Sequence, residues 1–303
     1  MPEVRTLGAG GERPRTLVVG CGGAGCNALG AVPPEAGFEV LGVNDLPHRS
    51  FVGLKRRLIL PKAGLRDVAG MDEWAVKTLA TTSEQMLAME LGDADLVVPI
   101  AGLGGDMGGW AASLVARVSG IKGATTLAVV TMPFTAEGAN RRTNASDALA
   151  VLRRHAHGVL ALPNDTLLRV APHLPILRAF ETMSRIAMQP VLDLVRVLTR
   201  DDLPSLRGIL RSATVWSAGV GEGVHNRPES TAVEAAFRSA WLAGPPDRAR
   251  EAIVLIGLPA LDDRSVDWVL RSVDYHAPKA SVAWGAYAGV EPDRVRVTVL
   301  VGH

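Results

Sequence analysis

Two stretches decide the reading: residues 18–29, VVGCGGAGCNAL, and residues 101–112, AGLGGDMGGWAA. Each follows an apolar run, TLVVG (16–20) and DLVVPI (95–100), and each opens a helical pattern. Glycines crowded into short runs bring backbone close to something, whereas glycines spread evenly mark turns. In the first run Gly20, Gly22 and Gly25 satisfy G-x-G-x-x-G, with Gly23 between them. Its mechanics are a tight turn, close backbone approach to a phosphate group and the positive end of a helix dipole. Alone it suits an NAD-dependent oxidoreductase, with Glu39 or Asp45 as the ribose acceptor, about as well as any other nucleotide binder. The second run changes the balance, because it sets another glycine loop at the carboxyl end of another buried strand. A dinucleotide domain does not need it.

Working outward, FEVLGV (38–43), TTLAVV (125–130) and GVLAL (158–162) join the two apolar runs as strands buried on both faces, since they are continuously apolar rather than alternating. Helical patterns lie between them, DEWAVKTLATTSEQMLAMELG (72–92) and GWAASLVARVSG (109–120). This is the βαβ rhythm of a doubly wound parallel sheet. A long helix is predicted from Ile176 to Thr199, with Pro190 expected to kink it. Beyond it, ATVWSAGVGEG, EAIVLIGL, SVAWGAYAG and RVRVTVLVG read as strands, and STAVEAAFRSAWLAG and DDRSVDWVLRSV as helices. In the last strand Arg294, Arg296 and Thr298 alternate with Val295, Val297 and Val299, which predicts one solvated face. The expected fold is α/β: a flexible arm (1–14), a nucleotide-binding domain (15–175), a connecting helix (176–200) and a smaller α+β domain (201–303).

Composition supports a globular chain and narrows its partners. Of 303 residues 48% are hydrophobic and 21% charged, with Gly 32 and Pro 19, which excludes disorder and collagen-like repetition. Lys+Arg 32 against Asp+Glu 31 leaves a net charge of +1, so no global field favours nucleic acid or an anionic membrane. Cys21 and Cys26 have neither disulfide-framework nor metal spacing and read as buried thiols, with no metal centre. The first fourteen residues lack the apolar stretch of a signal peptide, and no segment is long enough for a membrane span, so a cytoplasmic protein is expected.

The chain resembles the FtsZ/tubulin superfamily over nearly its whole length. VVGCGGAGCNAL is similar to that family's first glycine loop, with Asn27 at the place of the Asn near the nucleotide sugar. DADLVVPIAGLGGDMGGWAA resembles its phosphate-binding strand and loop, through Gly104, Gly105 and Gly108. VVTMPFTAEGANRR (129–142) matches the Pro-Phe-x-x-Glu-Gly stretch, with Glu137 at the ribose carboxylate and Arg141 or Arg142 at the basic position beyond. LPNDTLL carries Asn164 at the place beside the base, and ASVAWGAYAGVEPDRVRVTVLVG resembles the last strands of the C-terminal domain. The resemblance implies GTP or GDP with Mg2+, self-association, and hydrolysis when one subunit's loop lies over the next subunit's nucleotide.

The chain departs from the family pattern where the nucleotide would be held and cut. The signature threonine is Met107, Trp110 replaces a glycine, and Asp106 stands among amides that would otherwise face an anion. A carboxylate about 5 Å from a phosphate costs about 3 kcal/mol at an effective dielectric near 20, roughly a hundredfold in affinity, unless a metal ion bridges them. On the long helix Ser184 and Arg185 occupy the Asn-Asp positions, and a guanidinium cannot accept hydrogen bonds from guanine. In TRDDLPSLRGIL (199–210), placing Asp202 at the first catalytic Asp puts Leu206, Ile209 and Leu210 on the family's apolar positions but Ser205 on the second Asp. With Asp201 in that place, Pro204 falls there instead. Both acids also suit a plain role in capping a helix. The sequence ends at His303, so no tail peptide for division-protein anchors is expected. The resemblance therefore implies an FtsZ-like GTP-binding scaffold or regulator with hydrolysis weak or lost. The alternatives are an active, filament-forming GTPase and a crevice refitted for a non-guanine ligand.

Overall fold

A computed structural model of the chain describes residues 3–47, 49–61, 73–225 and 227–303, and these divide into two compact units. The first holds residues 15–159 and 163–188, the second residues 1–14, 160–162 and 189–303. The long helix, α6 (Ile176–Val197), is divided between the two at residues 188 and 189, not set apart as a connector.

The first unit is the parallel sheet that the continuous apolar runs predict. β2 (Thr16–Cys21) lies between β3 (Glu39–Asn44) and β5 (Leu96–Gly102), with β4 (Arg57–Ile59) beyond β3 and β6 (Thr125–Met132) beyond β5, all parallel. Every residue of β2 is buried, as a strand covered by helices on both faces requires. α1 (Gly22–Leu29) and α3 (Asp106–Ile121) open directly from the ends of β2 and β5. α2 (Glu73–Leu91) begins after Asp72, which lies outside the described residues. α4 (Ala139–His155) escapes a periodicity search because only Ala145 and Leu152 are buried in it. It closes on α3 through small residues: a Cβ on Gly109 would stand 2.5 Å from that of Ala148.

In the second unit β10 (Ser281–Ala288) pairs in parallel with β9 (Glu251–Leu258), while β11 (Arg294–Gly302) runs antiparallel to both β9 and β8 (Trp216–Val224). α8 (Pro228–Phe237) starts earlier and ends sooner than the sequence pattern suggests. It sits backbone to backbone on β8, since side chains at Gly219 or Gly221 would run into the carbonyls of Ala236 or Ala232. α9 (Asp263–His276) is capped by the Asp262 carboxylate, which accepts from the Arg264 and Ser265 amides. Trp216 is fully buried and its indole N–H donates to the Leu210 carbonyl, 3.1 Å away, on α7 (Leu203–Arg211).

Two expectations are corrected here. Of the flexible arm expected over 1–14, the described residues from Glu3 on are not loose: β1 (Val4–Thr6) pairs in parallel with β10, Val4 opposite Val282 and Thr6 opposite Trp284, and Leu7 is buried. Backbone pairing on an open strand edge, together with one buried leucine, orders a segment that composition marks as polar and glycine-rich. Nor is the polar face of β11 solvated. Thr298 is fully buried and Arg296 half-buried, because the carboxyl half of α6 brings Asp193 onto that face. Buried Asp193 accepts from Tyr287 Oη at 2.7 Å, Thr298 Oγ1 at 2.6 Å and Gln189 Nε2 at 2.9 Å. Arg296 stands 3.9 Å from it and holds Glu222 at 2.6 Å. Burial first, and then the charge and hydrogen bond of Asp193, push the Tyr287 phenol well above its usual range.

Candidate functional site

The two glycine loops meet in the first unit, and the glycines divide into those that pack and those that stand open. Gly22 has φ +68°, and a Cβ there would lie 3.0 Å from Gly108 Cα. A Cβ on Gly108 would lie 2.6 Å from the Gly102 carbonyl oxygen, so the loop after β5 is pressed against the corner after β2. Gly20 and Gly25 approach each other as closely, the Gly20 Cβ position falling 2.7 Å from the Gly25 carbonyl oxygen. Gly23 is half-buried, and Asn27 is exposed on α1. Gly104, at φ +107°, fits under the α4 backbone, 3.1 Å from the Arg141 carbonyl oxygen by the same measure. Gly105 has open space where a Cβ would stand. The amides of the first turn of α3 follow it with no side-chain cap, donors of the kind that suit an anion.

The three altered positions sit at that end of α3. Asp106 is exposed in the first turn of α3 and caps no backbone amide with its side chain. Met107 and Trp110 are half-buried, Met107 without a hydroxyl to offer an anion.

Beyond β6, residues 133–137 fold back on themselves. The Glu137 carboxylate accepts from the Phe134 amide at 2.8 Å and from Arg141 Nη1 at 2.8 Å, and Arg142 Nη1 donates to the Thr135 carbonyl at 3.0 Å. Asp165 ties this turn to the end of β7 (Gly158–Pro163), accepting from the Thr135 amide at 2.9 Å and hydroxyl at 2.5 Å. Both arginines are thus engaged, Arg141 on the carboxylate and Arg142 on backbone. Asn164, just before α5 (Asp165–Val170), is 5% exposed and its Oδ1 has no hydrogen-bond partner among the described residues. A buried amide oxygen left unpaired costs about 1–3 kcal/mol, which a donor on a bound ring would recover.

One residue that pattern reading missed belongs here. Phe180 falls on the apolar stripe of α6 and reads as core, yet it is 43% exposed, its ring edge-to-face with buried Phe134 at 5.7 Å. Ser184 spends its hydroxyl on the Phe180 carbonyl at 2.9 Å, and Arg185 is exposed. No one-dimensional signal separates Phe180 from its buried neighbours. Only the loop supplying Phe134 does.

Asp202 and Ser205 lie in the second unit. Asp202 Oδ2 accepts from the Thr199 amide at 2.8 Å, the Thr199 hydroxyl at 2.7 Å and the Gly8 amide at 3.0 Å. Asp202 ends a single 3-10 turn from Arg200, and Ser205 follows, half-buried, on α7. Capping of its own turn, which the sequence allows for this acid, is therefore present, together with a tie to the amino-terminal segment.

The thiols are inert by environment. Burial raises Cys21 well above its usual range and Cys26 to about 11, with Cys26 Sγ donating to the Gly20 carbonyl at 3.1 Å. Because the thiolate is the nucleophile, neither thiol should react with a disulfide reagent in the native protein at pH 8, and both should react in denaturant. A fast-reacting native equivalent would contradict this burial. Among the described residues no cluster of three potential metal ligands is found, and no helix is long and apolar enough to cross a membrane.

Comparison with known proteins places this geometry. A family model described as the tubulin/FtsZ family, GTPase domain, matches residues 57–172. Cell division protein FtsZ 1 of Pyrococcus abyssi is 33% identical over 301 residues, spanning 95% of this chain and 80% of that protein. The empty FtsZ dimer of M. jannaschii superposes with a TM-score of 0.83 at 27% identity, over 96% of this chain and 88% of that one. CetZ2 from Haloferax volcanii, solved as a GTPγS-bound protofilament, is similar in fold, with a TM-score of 0.70 at 20% identity over 95% of this chain and 92% of that one.

Proposed function

The chain belongs to the tubulin/FtsZ family, and on that premise we propose that it is a divergent FtsZ-like protein that binds a guanine nucleotide, self-associates, and turns the nucleotide over slowly or not at all. It would serve as a scaffold or regulator, in the cytoplasm, rather than as a motor. The fit of the nucleotide is supported by the uncapped amides after Gly105 and the unpaired Asn164 Oδ1, with Phe180 offering a ring face to the base. A bound nucleotide would supply the phosphates, and the Asp106 carboxylate would stand near them as a like charge that weakens binding. The chain's part is to orient and to exclude water. Self-association is supported by relatives solved as a dimer and a protofilament.

The observation that carries slow turnover is the state of Asp202. Its Oδ2 already accepts three hydrogen bonds from its own chain, and the residue three positions on is Ser205, not a second carboxylate. A water over a neighbour's nucleotide would find one carboxylate, with one of its oxygens already engaged, where the family pattern implies two. Calorimetric titration with GTP, GDP and ATP, followed by phosphate release, tests this. Guanine-nucleotide binding with turnover below about one per minute is expected, and Ser205→Asp should raise turnover by at least about tenfold. Turnover faster than that in the natural chain would overturn the reading.

A second reading, an active GTPase, is favoured by one feature: Asp106 is exposed at the α3 N-terminus with no capping bond, free to hold Mg2+. It predicts that Asp106→Ala abolishes Mg2+-dependent release. The first reading predicts instead that removing this charge tightens nucleotide binding.

A further inference from the structure

The amino-terminal segment does more than fill a sheet edge. β1 extends the sheet along β10, with the Val282 amide donating to the Glu3 carbonyl at 2.8 Å and the Leu7 amide to the Trp284 carbonyl at 2.6 Å. Leu7 is buried, and its carbonyl passes so near β10 that a Cβ on Gly285 would lie 3.1 Å from it. The chain then turns through Gly8, Gly10 and Gly11, with φ of +76°, +113° and +124°, angles that L side chains rarely adopt. A Cβ on Gly8 would stand 2.6 Å from the Val197 carbonyl oxygen, and one on Gly11 3.2 Å from Asp201 Oδ2. These glycines lay the strand against the end of α6 and the turn carrying Asp202. Two hydrogen bonds fasten it there: Gly8 N–H to the side-chain Oδ2 of Asp202 at 3.0 Å, and Arg200 N–H to the Glu12 backbone carbonyl at 2.8 Å. The Arg200 guanidinium also faces the Glu12 carboxylate at 3.5 Å.

We propose that residues 3–12 are a restraining strap, with Gly8 as a positioning residue whose amide takes one of the three hydrogen bonds on Asp202 Oδ2, so that release of the strap opens that oxygen to a water and raises nucleotide turnover. The proposal rests on the reading of Asp202 given above. It adds that slow turnover is conditional: it depends on a segment held by a few backbone hydrogen bonds and one buried leucine. Val4, the first residue of β1, is 64% exposed, so little side-chain burial holds this part of the strap. The turn itself keeps its Thr199 bonds and would survive the strap's departure.

The test uses the full chain, a chain lacking residues 2–9, and Gly8→Ala, in which a strained φ and the clash with Val197 displace the strap locally if the deletion fails to fold. Amide hydrogen exchange is read first, without nucleotide. Exchange at Arg200, whose amide is bonded to the Glu12 carbonyl of the strap, should rise at least about tenfold in either variant while Thr199 and distant β9 amides stay protected. Phosphate release should then rise at least about fivefold, and Asp202→Asn placed in the strapless chain should cancel the gain. Adding a peptide of residues 1–12 to the strapless chain should restore slow release. Unchanged exchange overturns the strap whatever the nucleotide does. Raised exchange without raised release, or a gain that survives Asp202→Asn, overturns its restraint of turnover. Failure of the underlying functional reading is seen separately, as absence of guanine-nucleotide binding by the intact chain in titration.

Discussion

Gly25→Ala should lower stability by about 3 kcal/mol or more, a fall in Tm of roughly 6–12 °C for a unit of this size. Gly25 is buried in α1, and an added Cβ would fall far inside contact distance of the Ile100 carbonyl oxygen on β5 while standing 3.1 Å from Gly20 C. All of these neighbours are backbone, so no rotamer change relieves the clash. The helix must lift off β2 and β5 and take Gly22 away from Gly108. The control lies in the other loop. Gly105→Ala meets nothing within 4 Å, and should change stability by less than about 0.5 kcal/mol. Its methyl group would intrude only on whatever that loop receives. Calorimetry on both variants, paired with nucleotide titration, separates them: loss of stability with Gly25, weaker binding at normal stability with Gly105. Equal melting temperatures would refute the division of the glycines into packing and open positions.

Asp193→Ala should cost the second unit about 3–5 kcal/mol. The substitution leaves the Tyr287 and Thr298 hydroxyls without their acceptor in a site closed to solvent, and Arg296 with Glu222 alone. Arg196, stacked 5.3 Å over the Tyr287 ring, would add its charge to the imbalance. Asp193→Asn keeps one acceptor and the shape of the group, and should lose about half as much. Urea unfolding would show the midpoint falling in that order with an unchanged slope. A loss below about 1 kcal/mol for the alanine variant would mean that the carboxylate is dispensable and that water replaces it.

Those two residues also mark what could and could not be read from the chain. The parallel sheet was legible because β2, β5 and β6 are covered on both faces and are therefore continuously apolar, and because a glycine run follows two of them. α4 left no trace because it packs through Ala145, Ala148 and Leu152 instead of a wide apolar stripe. β1 was illegible for the opposite reason: backbone hydrogen bonds to β10 hold it, and any sequence without proline can supply those. The solvated face expected for β11 failed because its alternation is real but two of its polar residues, Thr298 and Arg296, face Asp193, a contact 105 residues away from Thr298. At the site, the family resemblance pointed to Glu137 and Asn164 but could not tell that Glu137 is already paired with Arg141 while Asn164 Oδ1 is not. Phe180 was hidden in the stripe that made α6 easy to find.

The burial of Trp216 gives the protein a built-in optical probe. Its indole is closed off from water and bonded to the carbonyl of Leu210, at the far end of the helix that begins directly after Asp202. An indole in that setting emits to the blue of a solvated one, and any movement that draws α7 away from the sheet breaks the bond and admits water. Trp216 is one of six tryptophans, so in a chain whose other five are replaced by phenylalanine its fluorescence can follow the undocking of this helix in real time, with no label attached.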